Sequence, residues 1–428
     1  MRLGGRIQAA IEVLDDIEAR NRPASMTLKD WGLSHRFAGG GDRSAIGNLV
    51  YDSLRRRASQ AWRMDDASSH SLVFATLAGQ WDMTADTIAE ALDDDKFAPA
   101  LPAPERWHAW ETRDLADAPD HVRADIPQWC ADEFQALLGE DWVAQAAALG
   151  QRPPLDLRVN TLKSNRNKVL KQLANTGAVA SDHAPCGIRI AAGKRDSRLP
   201  NVQAEAGYQK GWFEIQDEGS QLAALLSQAK PGEQVMDYCA GGGGKTLAMA
   251  AMMDNRGQIH AHDTDRNRLA PIHERIKRAG VRNAQVLVPG ADHSALDGRM
   301  DCVLVDAPCT GSGTWRRRPD AKWRLSADNL AERVAEQDQV LAQAARYVRP
   351  GGRLVYVTCS MFATENTLRA EAFREGNPEF QPLPIAASLG EMCENAHFTK
   401  IANSMVALSP LKTGTDGFFI AGFQRSNP

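Results

Sequence analysis

The sequence predicts an α/β protein. A mostly parallel, doubly wound sheet is expected in residues 213–428, behind an all-helical domain (1–145) and a small α/β module (146–212). Three observations lead there. Beyond residue 230, short apolar runs alternate with amphipathic stretches, the order that parallel strands joined by crossover helices require. The first 145 residues repeat their apolar positions at helical rather than strand spacing. Between the two regions, Leu155, Leu157 and Val159 alternate as in a strand, with a charged helical stretch behind them.

Taken in order, Ile7, Ile11, Leu14 and Ile17 mark one face of an amphipathic N-terminal helix. "DRSAIGNLVYDSLRRRASQAW" and residues 71–95 read the same way, whereas the prolines of "FAPALPAPERW" predict a loop. "WCADEFQALLGEDWVAQAAALG" is helical again, and "GIRIAAG" and the start of "WFEIQDEGSQLAALL" are short strands. Strands then follow at Val235–Asp237, "QIHAHD", "AQVLVPGAD", "DCVLVDAP" and "GRLVYVTCS". Helices are expected at "TLAMAAMM", "RLAPIHERIKRAG" and "LAERVAEQDQVLAQAARYV", and "NSMVALSP" with "DGFFIAGF" could close the sheet as an antiparallel pair. Ligands of such sheets sit outside the carboxyl ends of the strands. Those ends carry Asp237, Asp263, Asp292, Asp306 and the segment at Cys359.

The 428 residues suffice for two or three domains, and 43% apolar with 24% charged content is ordinary for a globular protein. No stretch approaches the roughly 20 apolar residues of a membrane span. The N-terminus is charged throughout and has no secretory core, so a cytoplasmic protein is expected. Seven scattered cysteines without a Cys-x-x-Cys pair support neither a metal site nor a disulfide framework. A net charge of −4 argues against wholesale polyanion binding, but basic clusters occur at Arg55–Arg57 and Arg316–Arg324, the second with Trp315 and Trp323.

"VMDYCAGGGGKTLAMAAMM" sets a glycine elbow and Lys245 between apolar stretches. A phosphate-binding loop would place glycine where Cys239 stands, although Gly244, Lys245 and Thr246 would fit it. A glycine turn used only for packing is the other simple reading. More of the chain fits a nucleoside-type cofactor. Asp263 follows the second strand, 19 residues after Gly244, close to the ~20-residue offset of an acid that binds ribose hydroxyls. Asp292, after the third strand, could accept a hydrogen bond from an adenine amino group. Cys309 in "VDAPCTGSG" and Cys359 in "YVTCSMF" both lie just past strand ends, where an active-site cleft is expected.

With "LDLRVNTLK", "FEIQDEGSQLAALL", "DYCAGGGGKT", "HDTDRNRL", "VLVDAPCTGSGTWRRRPDAKWR", "GGRLVYVTCSMFATEN" and "DGFFIAGF", the chain closely resembles the bacterial 16S rRNA cytosine-5 methyltransferase family. These are class I enzymes with a Rossmann-like sheet, related to eukaryotic nucleolar proteins. The resemblance implies S-adenosylmethionine as cofactor, held by Cys239, Ala240, Gly241, Gly242, Gly243, Gly244, Lys245, Asp263, Asp292 and Asp306. It implies Cys359 as the nucleophile on the pyrimidine, Cys309 as the thiol that serves release of the RNA adduct, and Asp306 and Lys245 as further catalytic groups. Gly241 and Gly242 replace the Ala and Pro usual in the family, which loosens the loop. "GAD" also shifts the acid at 292 from the usual pattern. The first 140 residues resemble, more loosely, a helical RNA-binding domain related to an antitermination factor. The expected partner is ribosomal RNA (16S rRNA or its precursor), for a monomer without membrane or metal. An RNA-binding assembly factor with little catalysis, or a methyltransferase of another RNA such as tRNA, are the alternatives.

Overall fold

A computed structural model of the chain describes residues 1–393 and 398–427. Residues 155–215 hold a four-stranded antiparallel sheet of β1 (Leu155–Val159), β2 (Val179–Ala180), β3 (Gly187–Ile190) and β4 (Phe213–Ile215), in the order β2-β3-β1-β4. Leu157, Val159, Ile188 and Phe213 supply its core, under the helix Arg166–Gln172.

The second sheet contains β5 (Gln234–Asp237), β6 (Gln258–Ala261), β7 (Ala284–Val286), β8 (Met300–Asp306), β9 (Val348–Thr358), β10 (Phe380–Pro382), β11 (Thr399–Ala402), β12 (Met405–Leu408) and β13 (Phe418–Arg425). Its order is β11-β12-β13-β9-β8-β5-β6-β7, and β10 adds to the far end of β13. β5 to β9 are parallel; β13 runs antiparallel between β9 and β12, as the expected closing pair. Both faces are covered, which explains the continuous apolar runs in the central strands. Val303, Val305 and Tyr356 face Phe134, Trp315 and Phe362, while Leu304, Val355 and Val357 face Leu222 and Leu247. The strand order reverses between β5 and β8, so a ligand crevice is expected at the tips bearing Asp237 and Asp306.

The N-terminal helices pack around Ile7, Ile46, Leu49 and Phe74, with the expected face of the first helix (Leu3–Arg20) buried. Two expectations change. The loop over 97–107 ends early, because Pro104 occupies the first turn of the helix Pro104–Thr112, where a missing N–H costs nothing. The helix expected over 268–280 is two, Arg266–Leu269 and Ile272–Ala279, divided at Pro271.

The basic clusters are also only partly surface. Arg55 is buried, pairs with Asp52 and donates from Nε to Arg316 O at 2.8 Å. Arg316 is buried between Asp217 and Asp416, and Arg317 bonds the same two carboxylates at 2.8 and 2.5 Å. Lys322 and Trp323 donate to the carbonyls of Arg55 and Leu54 at 3.1 and 2.7 Å. These groups hold the helical region, the small sheet and the large sheet together. In the run 316–318, Arg318 is the exposed residue.

Candidate active site

The glycine elbow turns the chain from β5 into the helix Gly244–Met252. Gly241 and Gly243 have φ of +47° and +80°, a region in which a Cβ is strained; at Gly243 it would also meet Ile272 at 2.4 Å. Asp263, past the tip of β6, organises this loop. Its Oδ2 accepts from Gly241 N and its Oδ1 from Asp265 N, both at 2.9 Å.

Asp237 lies at the tip of β5, wholly buried. One oxygen accepts from Thr246 Oγ1 at 2.6 Å, and the other, Oδ1, has no partner among the described residues. Burial pushes its pKa up to about 7, against the opposing hydrogen bond from Thr246. Lys245 reaches across the strand-order reversal and donates from Nζ to Asp306 Oδ2 at 2.6 Å, with the Phe418 ring 5.6 Å away. Burial works against its charge, but the carboxylates of Asp306 and Asp237 and the neighbouring Cys359 outweigh it and raise its pKa. Cys239 is partly exposed beside these acids; desolvation and then the charges of Asp306, Asp263 and Asp237 push its thiol well up.

β8 and β9 are parallel neighbours, so the segments after them emerge side by side. Cys309 Sγ and Cys359 Sγ lie 3.4 Å apart, both half-buried. The contact with Cys359, burial and the charge of Glu365 push the Cys309 thiol up. The two segments are joined further by Gly313 N donating to Cys359 O at 2.9 Å, Met361 N donating to Ser312 Oγ at 2.8 Å and a 3.0 Å contact between the Ser312 and Ser360 hydroxyls.

The expected site residues lie at or beyond the ends of β5, β6, β8 and β9, and Asp292 follows β7. Asp292 is exposed in the turn after β7 and spends its carboxylate on Ser294 N and Oγ, at 2.9 and 3.1 Å. Two buried acids were not among the expected site residues. In the sequence Asp237 stands out only as a strand end. Glu365, six residues past Cys359 in "TCSMFATEN", is fully buried among polar donors, and a lone acid in a Met-Phe-Ala stretch was its available signal. Among the described residues, no cluster of His, Cys, Asp and Glu is arranged to hold a metal, and no helix is long and apolar enough to cross a membrane.

A switch-point crevice with a glycine elbow and an acid after the second strand suits a nucleoside-type cofactor such as S-adenosylmethionine. Residues 224–424 match the family described as 16S rRNA methyltransferase RsmB/F, and residues 126–195 the ferredoxin-like domain described for RsmF/B-like methyltransferases. The ribosomal RNA small subunit methyltransferase B of Sodalis glossinidius is 34% identical over 72% of this chain and 67% of its own length. A probable ribosomal RNA small subunit methyltransferase B of Synechocystis is 30% identical over 70% and 67%. Among solved structures, the crystal structure of PH0851 superposes over 99% of both chains with a TM-score of 0.74 and 25% identity. A methyltransferase homolog protein from Pyrococcus horikoshii superposes over 72% of this chain and 97% of its own, with a TM-score of 0.59 and 27% identity. The chain belongs to the RsmB/F family of methyltransferases. Its residues fit the cofactor: two glycines take conformations that side chains resist, and Asp263 uses one hydrogen bond on each oxygen, which leaves lone pairs for hydroxyl donors.

Proposed function

We propose that this enzyme methylates the fifth carbon of a cytosine in 16S rRNA, or its precursor, through a covalent adduct with Cys359. The observation that carries this reading is the pair of thiols 3.4 Å apart at neighbouring strand tips, with Lys245 and Asp306 alongside. The fifth carbon of cytosine is a weak nucleophile while the ring is aromatic. Addition of the Cys359 thiolate to the sixth carbon makes its neighbour enamine-like. Bound S-adenosylmethionine supplies an electrophilic sulfonium methyl group. Asp306, paired with the Lys245 ammonium, hydrogen-bonds the N3/N4 edge of the base as its charge changes. For release, the proton on the methylated carbon passes to a base and its bonding pair restores the ring double bond. The bond from sulfur to the sixth carbon then breaks, its pair returning to Cys359. Cys309 serves this second half.

Cys239 to Lys245 with Asp263 and Asp306 hold the cofactor, and Asp292 contributes at the rim. The first 145 residues and the module, which runs from 146 through β4 to Ile215, position RNA, and the catalytic domain follows it. On the module, Lys163, Lys168, Lys171 and Lys210 are exposed, with Lys168 and Lys210 at 4.0 and 5.3 Å from the Trp212 ring. Such a face suits phosphates and an unstacked base. The target must leave its stack or lie in a single strand to reach the thiols. A cytoplasmic enzyme agrees with seven unpaired cysteines, and a monomer with a site assembled within one chain. Transfer of labelled methyl groups to 16S rRNA, with mass mapping of 5-methylcytosine, tests the reading. No incorporation into any 16S rRNA cytosine would refute it.

A further inference from the structure

Glu365 lies fully buried between β9 and the helix Thr367–Gly376, and its carboxylate meets four donors. Oε1 accepts from Thr310 N at 2.8 Å and Gln337 Nε2 at 3.0 Å; Oε2 accepts from Thr310 Oγ1 at 2.5 Å and from the Ser360 hydroxyl. An ionised carboxylate offers about four lone-pair directions, so each is used. Thr310 directly follows Cys309, and Ser360 directly follows Cys359. One side chain therefore grips the residue after each thiol. Gln337, from the helix Ala327–Ala345, also donates to Pro308 O at 2.9 Å, just before Cys309. The backbone of Glu365 is held in turn, its carbonyl accepting from the Tyr356 hydroxyl at 2.6 Å.

We propose that Glu365 is a positioning residue that ties the Cys309 and Cys359 segments into one unit, keeping the second thiol beside the first while the RNA adduct is released. This rests on the covalent reading above. A buried carboxylate costs free energy unless every lone pair is satisfied, and here the donors come from both thiol segments. Its charge also favours the protonated form of Cys309. A thiol free to swing away would leave addition intact and impair only the later half of the reaction.

The test uses the full-length enzyme with S-adenosylmethionine and two target RNAs. One carries ordinary cytosine at the target. The other carries 5-fluorocytosine, which has no removable proton there and therefore stops at the methylated adduct. Trapping of the fluorinated RNA reads addition, and turnover of the ordinary RNA reads release. Glu365→Ala is expected to bind cofactor normally by calorimetry and to trap fluorinated RNA within about threefold of wild type. Release of ordinary RNA should be on the order of 10²-fold slower, with a slow-migrating protein–RNA band on denaturing gels. Glu365→Gln can turn its amide nitrogen toward the two hydroxyls, which rotate to accept, so release should recover to within about tenfold of wild type. Should Glu365→Ala prove insoluble, Thr310→Val removes one donor and should slow release about tenfold. Wild-type release in the Ala or Val variant overturns the proposal, as does equal loss of addition, release and cofactor affinity in both Glu365 variants. Wild-type enzyme that traps no fluorinated RNA removes the covalent reading, and this proposal with it.

Discussion

Cys359 and Cys309 touch, yet their losses are expected to differ. Cys359→Ala should abolish methylation, on the order of 10³–10⁶-fold as for removal of a nucleophile, while cofactor binding persists. Cys309→Ala should still add and methylate but accumulate a protein–RNA adduct, visible as a slow band on a denaturing gel. Full turnover by the first variant, or normal turnover without adduct by the second, would remove the respective role. Asp263 acts on the other half of the site. Asp263→Ala frees the Gly241 amide and removes an acceptor, so S-adenosylmethionine should bind roughly 10- to 100-fold more weakly by calorimetry, about 1.4–2.8 kcal/mol. ATP with magnesium should not bind. Both thiols and Asp263 were legible as residues because each follows an apolar run whose end could be counted. Glu365 was not, because its significance lies in donors from residues 310, 337 and 360, which only the packed sheet brings together.

Among the elements, the parallel strands were the most legible, since strands buried on both faces write unbroken apolar runs between turns. β2, β10 and β11 escaped notice: they are two to four residues long, at or near sheet edges, and their sequences carry no alternation. The arginine runs misled for a different reason. Their charge reads as surface, but Asp217 and Asp416, about 100 residues away on either side, neutralise Arg316 and Arg317 at the junction of the modules. Removing one partner of such a buried network leaves an uncompensated charge. Asp416→Ala is therefore expected to destabilise the fold by about 3–5 kcal/mol in a urea titration. An unchanged midpoint would show that solvent already screens the junction.

At the scale of the molecule, two buried groups shape stability against pH in opposite directions. Asp237, raised to about 7, holds its proton in the fold but loses it on unfolding above the ordinary carboxylate range. It therefore favours the fold at acid pH, a contribution lost as pH rises toward 7. Burial, against the attraction of Asp125, lowers Lys322 to about 7, so the unfolded chain binds the extra proton. Its contribution is present above the ordinary lysine value and is lost as pH falls to 7. Relative to wild type, cofactor-free Lys322→Met should lose a rise in stability between pH 7 and 10, and Asp237→Asn a fall between pH 4 and 7. Denaturant midpoints across pH 4–10 measure this, and an unchanged alkaline limb in the Met variant would count against the Lys322 contribution. RNA recognition is also distributed. Replacing Lys168, Lys171 and Lys210 by Ala should weaken rRNA binding and reduce its logarithmic salt slope by about 2, at roughly 0.7 per single-strand phosphate contact. An unchanged slope would return those lysines to solvated surface.

The position of β13 also governs the order in which the enzyme can be made. It pairs with β9 on one side and β12 on the other, yet a ribosome synthesises it after both. Until residues 418–425 emerge, the open edges of β9 and β12 face outward with apolar side chains on both faces, a template for mispairing with other chains. The loop after Cys309 waits as well, because Gly417 N donates to Gly313 O at 2.8 Å and Asp416 anchors Arg316. The contacts that hold the thiol segments are therefore complete only once residues 416–425 have been made, and a nascent chain stalled before them should occupy chaperones rather than RNA.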